Sequence, residues 1–206
     1  MKQITDIVAQ KNDKKRVSLY IDGEYFSGAQ KIVLLTENLH VGDFVDDKKL
    51  SDILAESEYD ACFQKASSYV LKGGHTIKQV AGYLKNKGFD GKIIAKVIDK
   101  LEEYGYLDDG LFAKTYVELK SQKHGKRLLE VELKQKGVSD KDIAAAIDCV
   151  KDEDETAYAV AKKYLKGKPL DIQLKQKCFR YVLSKGFSYD SAKFAVDKIE
   201  REAEDF

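Results

Sequence analysis

A lysine-glycine-apolar triplet recurs through the chain at a fixed distance. Lys87-Gly88-Phe89, Lys136-Gly137-Val138 and Lys185-Gly186-Phe187 stand 49 residues apart, then 49 again. Each is followed by a residue suited to cap a helix (Asp90, Ser139, Ser188), and each cap by an apolar stripe at i, i+3, i+4 and i+7. The stripe reads Ile94, Val97, Ile98, Leu101, then Ile143, Ala146, Ile147, Val150, then Ala192, Ala195, Val196, Ile199. That spacing marks one face of an α-helix. An earlier echo, Ala66-x-x-Tyr69, Ala113-x-x-Tyr116 and Ala161-x-x-Tyr164, places a small residue and a tyrosine on a preceding helix. A unit that cannot bury its apolar face alone is stabilised by stacking on its neighbours, so a threefold internal repeat decides the fold class. The period predicts a mainly α fold built of tandem helical repeats. It does not fit the 34-residue, two-helix unit of the tetratricopeptide kind.

The junction between the first two repeats is the run Gly105-Tyr106-Leu107-Asp108-Asp109-Gly110-Leu111-Phe112-Ala113. Gly105 suits the left-handed turn that ends a helix. Asp108 and Asp109 are each able to accept from the free N–H groups of the next helix and to complement its positive end. Residues 3–28 carry a different pattern. Val17-Ser18-Leu19-Tyr20-Ile21 alternates, Asp22-Gly23 is a hairpin turn signal, and Glu24-Tyr25-Phe26-Ser27 follows. This predicts a small antiparallel sheet of two or three strands, confined to the first ~30 residues by the alternation. Ile32-Val33-Leu34-Leu35 is an apolar run for it to pack on, Asn38–Asp43 reads as a loop, and Asp46 or Asp47 starts a helix. The predicted layout is an N-terminal β-hairpin and short-helix extension at 1–57, then repeats at 58–107, 108–151 and 152–206, with Pro169 opening the second helix region of the last.

No feature announces catalysis. His40, His75 and His124 stand apart in sequence, and neither a phosphate-binding loop nor a nucleophile-elbow motif is present. Asp108-Asp109 lacks a third nearby ligand and reads as capping rather than metal binding. Cys62, Cys149 and Cys178 are odd in number and scattered, which implies neither a disulfide framework nor a zinc site and suits a reducing compartment. No cofactor and no enzymatic activity are expected. The N-terminus lacks a signal-peptide core, and no run approaches the ~20 apolar residues of a membrane span. A cytoplasmic monomer without membrane contact is expected.

The net charge is +1, so bulk charge points to no partner, but its distribution does. Residues 120–136 hold six basic side chains against two acidic, and residues 162–185 hold eight against one. Between them, residues 139–158 hold seven acidic against two basic. Middle helices are basic; third helices and the turns after them are acidic. A solvated face is one reading of such helices. Stripes of one sign facing an extended polyanion or an acidic partner is the other, and the segregation over two repeats favours it. Lys120, Lys123, Lys126, Arg127, Lys134, Lys175, Lys177 and Arg180 are therefore the candidate contact residues. Tyr164, Phe179 and Tyr181 lie near them, more in keeping with core or boundary positions than with base stacking.

The run Gly-Tyr-Leu-Asp-Asp-x-x-Phe-Ala from Gly105 to Ala113, with Lys136-Gly137-Val138-Ser139 and Arg180–Phe187, resembles the RecX family of regulators of the recombinase RecA. The likeness spans roughly residues 59–200. It implies a mainly α fold of three tandem three-helix repeats in an elongated, curved solenoid, RecA and the RecA–single-stranded-DNA filament as partners, and inhibition of strand exchange and ATP hydrolysis in DNA repair, recombination and the SOS response. It also implies possible direct, weak DNA contact. A free-standing helical nucleic-acid-binding module is the alternative.

Overall fold

The computed structural model describes residues 1–11, 13–166 and 171–204; the expected helix start at Pro169 lies outside the described residues. Strands β1 (Lys2–Ala9), β2 (Arg16–Ile21) and β3 (Glu24–Gln30) precede a short helix α1 (Lys31–Thr36) and strand β4 (Phe44–Val45). All later described elements are helices: α2 (Asp47–Val70), α3 (Ile77–Asn86), α4 (Gly91–Glu103), α5 (Asp109–Lys120), α6 (Lys126–Lys136) and α7 (Asp140–Ile147), followed by α8 (Glu153–Leu165), α9 (Ile172–Ser184) and α10 (Tyr189–Glu204). The chain forms two compact units, one of residues 1–74 with 80–107, the other of residues 75–79 with 108 onward.

The sheet of the first unit is antiparallel with order β3-β2-β1-β4. Asp22 and Gly23 turn between β2 and β3 with φ of 49° and 87°, the doubly left-handed geometry of a tight hairpin whose twist matches its strands. Val17, Leu19 and Ile21 are buried on alternate positions of β2 and pack with Ile4, Val33, Leu34, Val45, Leu50 and Ile53. The sheet has a fourth strand that the alternation does not predict. Phe44 and Val45 pair with Gln3 and Lys2. Two residues are too few to show a period, and the pairing is set by Val45 entering the core.

Helix α2 runs unbroken for 24 residues, straight through the expected boundary at 57/58. At 1.5 Å per residue it is about 36 Å long. Asp46 caps it by accepting from the Lys49 N–H at 2.7 Å. Its first half packs Leu50 and Ile53 on the sheet, while Cys62 and Ala66 farther along are also fully buried.

The repeats have the expected geometry. Gly88, Gly137 and Gly186 end the middle helices with φ of 88°, 90° and 84°. Asp90, Ser139 and Ser188 then cap the third helices through the N–H groups of Lys92, Asp142 and Ser191. Ala66, Ala113 and Ala161 are all 0 % exposed, which explains the small residue in each echo: helices meet there. Ile94, Val97, Ile98 and Leu101 are buried, as are Ile143, Ala146 and Ile147. Helix α7 stops at Ile147, and Val150 packs half-buried from beyond its end. Replacing Ile98 or Ile147 with alanine is expected to cost about 2–5 kcal/mol, the loss typical of a core truncation. Denaturant titration measures it, with the two variants losing similar amounts because the positions are equivalent.

Candidate partner-binding surface

The second unit carries all eight nominated basic residues. Lys120 ends α5, Lys123 lies in the connection, and Lys126 and Arg127 open α6. Lys134 is in the last turn of α6, and Lys175, Lys177 and Arg180 are on α9.

The start of α6 is the focal point. Its N-cap, Gly125, has no side chain to offer, and its first turn contains no acidic residue. Lys126 and Arg127 instead sit at the positive end of the helix, an unfavourable placement of roughly 0.3–1 kcal/mol each. The helix N–H groups are satisfied from elsewhere. Gly125 N–H donates to the Lys185 carbonyl at 2.9 Å and Arg127 N–H to the Gly186 carbonyl at 3.2 Å. Lys126 N–H donates to Glu153 Oε1 at 3.0 Å. The approach is so close that a Cβ on Gly125 would stand 2.3 Å from Phe187 N, and one on Gly186 would stand 2.3 Å from Leu128 Cβ. This seat places Lys126 and Arg127 against the turn that carries Lys185. Lys177 and Arg180, three residues apart and exposed, lie on the helix leading into that turn.

The same seat recurs at residues 76–79. Thr76 and Gln79 cap each other reciprocally. Thr76 Oγ1 donates to the Lys136 carbonyl at 2.6 Å, and Ile77 N–H donates to Asp109 Oδ1 at 2.9 Å. Asp108 caps its own helix through Leu111 N–H, so the two adjacent aspartates serve different helices.

Not all of the nominated cations are free. Lys134 pairs with Asp140 at 3.0 Å and Lys175 pairs with Glu200. Lys134 also stands at the far end of α6, about 12 Å along the axis from Lys126. Lys120, Lys123, Lys126, Arg127, Lys177 and Arg180 have no acidic partner within ion-pair distance among the described residues. The aromatic residues nearby are engaged: Tyr164 stacks on Tyr181 at 4.3 Å and Phe179 meets Tyr189 edge-on at 5.2 Å. The lysine of each triplet lies over a ring, Lys87 over Tyr83, Lys136 over Tyr116 and Lys185 over Tyr181, at 5.5, 5.3 and 5.2 Å. His124 meets a carboxylate through the fold, its Nδ1 lying 3.5 Å from Glu132 Oε2, which also accepts from Tyr116 OH.

Burial pushes the Asp109 carboxyl above the usual carboxylate range, the hydrogen bond from Ile77 pulls it down, and Asp142 and Asp108 push it up again. A carboxyl raised by folding binds its proton more tightly in the folded state. Its stabilising contribution is complete below the ordinary value of 3.8 and is lost as pH rises through the raised value. Asp109→Asn retains an acceptor for Ile77 without this loss. Its stability relative to the parent is expected to rise between pH ~4 and ~7, and thermal unfolding across that range measures the difference. A difference independent of pH would contradict the burial account.

Among the described residues, no group of three or more His, Cys, Asp or Glu side chains is placed to hold a metal ion. None of the described helices is long and apolar enough to cross a membrane. The fold defines a helical-repeat protein whose second unit carries several cations without an ion-pair partner among the described residues.

Comparison with known proteins specifies the family. Residues 2–46 match the RecX N-terminal domain, 108–147 the second RecX three-helix domain and 152–196 the third. The regulatory protein RecX of Clostridium tetani is 34 % identical over 96 % of this chain and 94 % of its own length. That of Bacillus subtilis is 33 % identical over 97 % of this chain and 78 % of its own. A crystal structure of regulatory protein RecX superposes with a TM-score of 0.73 at 24 % identity, covering 96 % of this chain and all of its own, which establishes the shared fold. The chain belongs to the RecX family of regulatory proteins.

Proposed function

We propose that this protein binds RecA and RecA filaments on single-stranded DNA, and thereby inhibits strand exchange and ATP hydrolysis. The observation that carries the reading is the placement of Lys126 and Arg127. They stand at the positive end of α6, beside the Lys185–Gly186 turn, without an ion-pair partner among the described residues. Basic side chains held where helix electrostatics oppose them are suited to an anionic partner. Family membership supports RecA as that partner. The contact acts by competition for filament surface, without covalent chemistry, in a cytoplasmic setting and as a monomer, with direct DNA contact weak.

Pull-down with purified RecA, in the presence and absence of single-stranded DNA, tests the reading. Retention with RecA filaments and slower RecA ATP hydrolysis are expected. Tight binding to bare DNA with no retention by RecA would instead support a free-standing nucleic-acid module.

A further inference from the structure

The first unit contains a cleft of about 740 Å³ between β3 and α2, closed at one side by the Lys87-Gly88-Phe89 turn. Nothing in the RecA reading uses it. Arg16 and Gln30 are directly opposed in the β2–β3 register, so their side chains stand together on one face of the sheet. Both line the cleft. Gln30 is only 5 % exposed, yet its Oε1 has no hydrogen-bond partner, and Arg16 Nε is likewise buried without one. Arg16 is fixed in place by donating from Nη2 to the Gly28 carbonyl at 3.2 Å. A buried acceptor beside a buried donor, both unmet, is the complement of a ligand edge that offers one of each.

The rest of the lining narrows the ligand class. Lys15, Lys65 and Lys87 add ammonium groups to the Arg16 guanidinium, against the carboxylates of Asp13 and Glu58. The Asp13 carboxylate is committed to its own turn, accepting from Lys15 N–H at 3.0 Å. Tyr83 and Phe89 supply aromatic surface, with the Lys87 ammonium 5.5 Å from the Tyr83 ring. A donor–acceptor pair for a base edge, rings for its face and ammonium groups for phosphate occur together. A cleft of this size accommodates one small ligand. We infer that it binds a nucleotide unit, either free or as part of a single strand. The inference is independent of the RecA reading, because the residues involved lie in the first unit and the assay contains no RecA.

Isothermal titration of the full chain with ATP, adenosine, tripolyphosphate and a ten-residue oligothymidylate tests it. A nucleotide-bearing probe is expected to bind, with adenosine weaker than ATP. Joint Lys65→Glu and Lys87→Glu replacement should weaken binding by roughly tenfold or more, because phosphate contacts are lost and repulsion is added. Gln30→Met, matched in size, should weaken nucleotide binding and spare tripolyphosphate. Equal binding of ATP and oligomer indicates a free nucleotide; binding of the oligomer alone indicates a single strand. No binding of any nucleotide probe, or binding indifferent to the lysine reversals and to Gln30→Met, would overturn the inference. So would equal affinity for polyglutamate, which would make the cleft an acidic-peptide groove. Circular dichroism and thermal unfolding of each variant separate lost binding from lost fold.

Discussion

Alanine at Gly125 or Gly186 is expected to destabilise the second unit strongly. Gly125 has an ordinary φ of −76°, so its backbone conformation tolerates a side chain. Its requirement is contact: an added Cβ would lie 2.3–2.4 Å from Phe187 N and from the carbon and oxygen of Gly186, all backbone atoms. Backbone cannot rotate away as a side-chain end can. The helix start must therefore withdraw, and the hydrogen bonds from Gly125 and Arg127 to Lys185 and Gly186 lengthen. Overpacking typically costs about 1–3 kcal/mol, and a backbone clash belongs at or above the upper end. Gly186 carries a second penalty, because its φ of 84° is left-handed and strains any residue with a Cβ by roughly 1–2 kcal/mol. Gly88 shares that φ but has nothing within 4 Å of an added Cβ. Gly88→Ala is therefore expected to lose the conformational part alone. Denaturant midpoints with Gly186→Ala well below Gly88→Ala support the seat; equal losses would mean that only the turn matters.

The contrast shows what the sequence makes legible. The 49-residue period, the caps and the left-handed glycines are local signals, each readable within one turn of helix. Asp22-Gly23 likewise carries its own hairpin geometry. No glycine or proline interrupts residues 47–70, so nothing in the sequence breaks α2 at the expected boundary at 57/58. The seat beneath α6 was not readable. Glu153 reaches Lys126 across 27 residues and Asp109 reaches Ile77 across 32, and no local rule pairs residues so far apart. In sequence Glu153 is one member of the acidic stretch at 139–158, whereas in the fold it holds the helix start that carries Lys126 and Arg127. The eight basic candidates were visible as charge runs, but their division was not. Lys175 finds Glu200 only through the packing of α9 against α10. Lys134 meets Asp140 across the Gly137 turn in an exposed pair, worth at most about 1 kcal/mol.

Charge reversal at the cations without an ion-pair partner among the described residues bears on the proposed function most directly. Lys126→Glu with Arg127→Glu, and separately Lys177→Glu with Arg180→Glu, are expected to weaken binding to RecA filaments on single-stranded DNA by roughly tenfold or more, equivalent to ~1.4 kcal/mol. Each lost phosphate contact also flattens the salt dependence by about 0.7 in logarithmic slope. Acidic residues suit a helix N-terminus by roughly 0.3–1 kcal/mol per site, but Glu153 already accepts from Lys126 N–H, so the thermal midpoint of each variant is measured beside its binding. Glu153 is unsuitable as the acidic control because it supports α6; exposed Asp154 and Asp148 serve instead, and their neutralisation should leave binding intact. The measurement is inhibition of RecA ATP hydrolysis on single-stranded DNA at two salt concentrations, with each variant and the parent. The account predicts that both basic reversals lose inhibition and show a shallower salt dependence, while the acidic variants match the parent. Reversed variants that inhibit as well as the parent at both salts would contradict it and leave these helices as solvated faces.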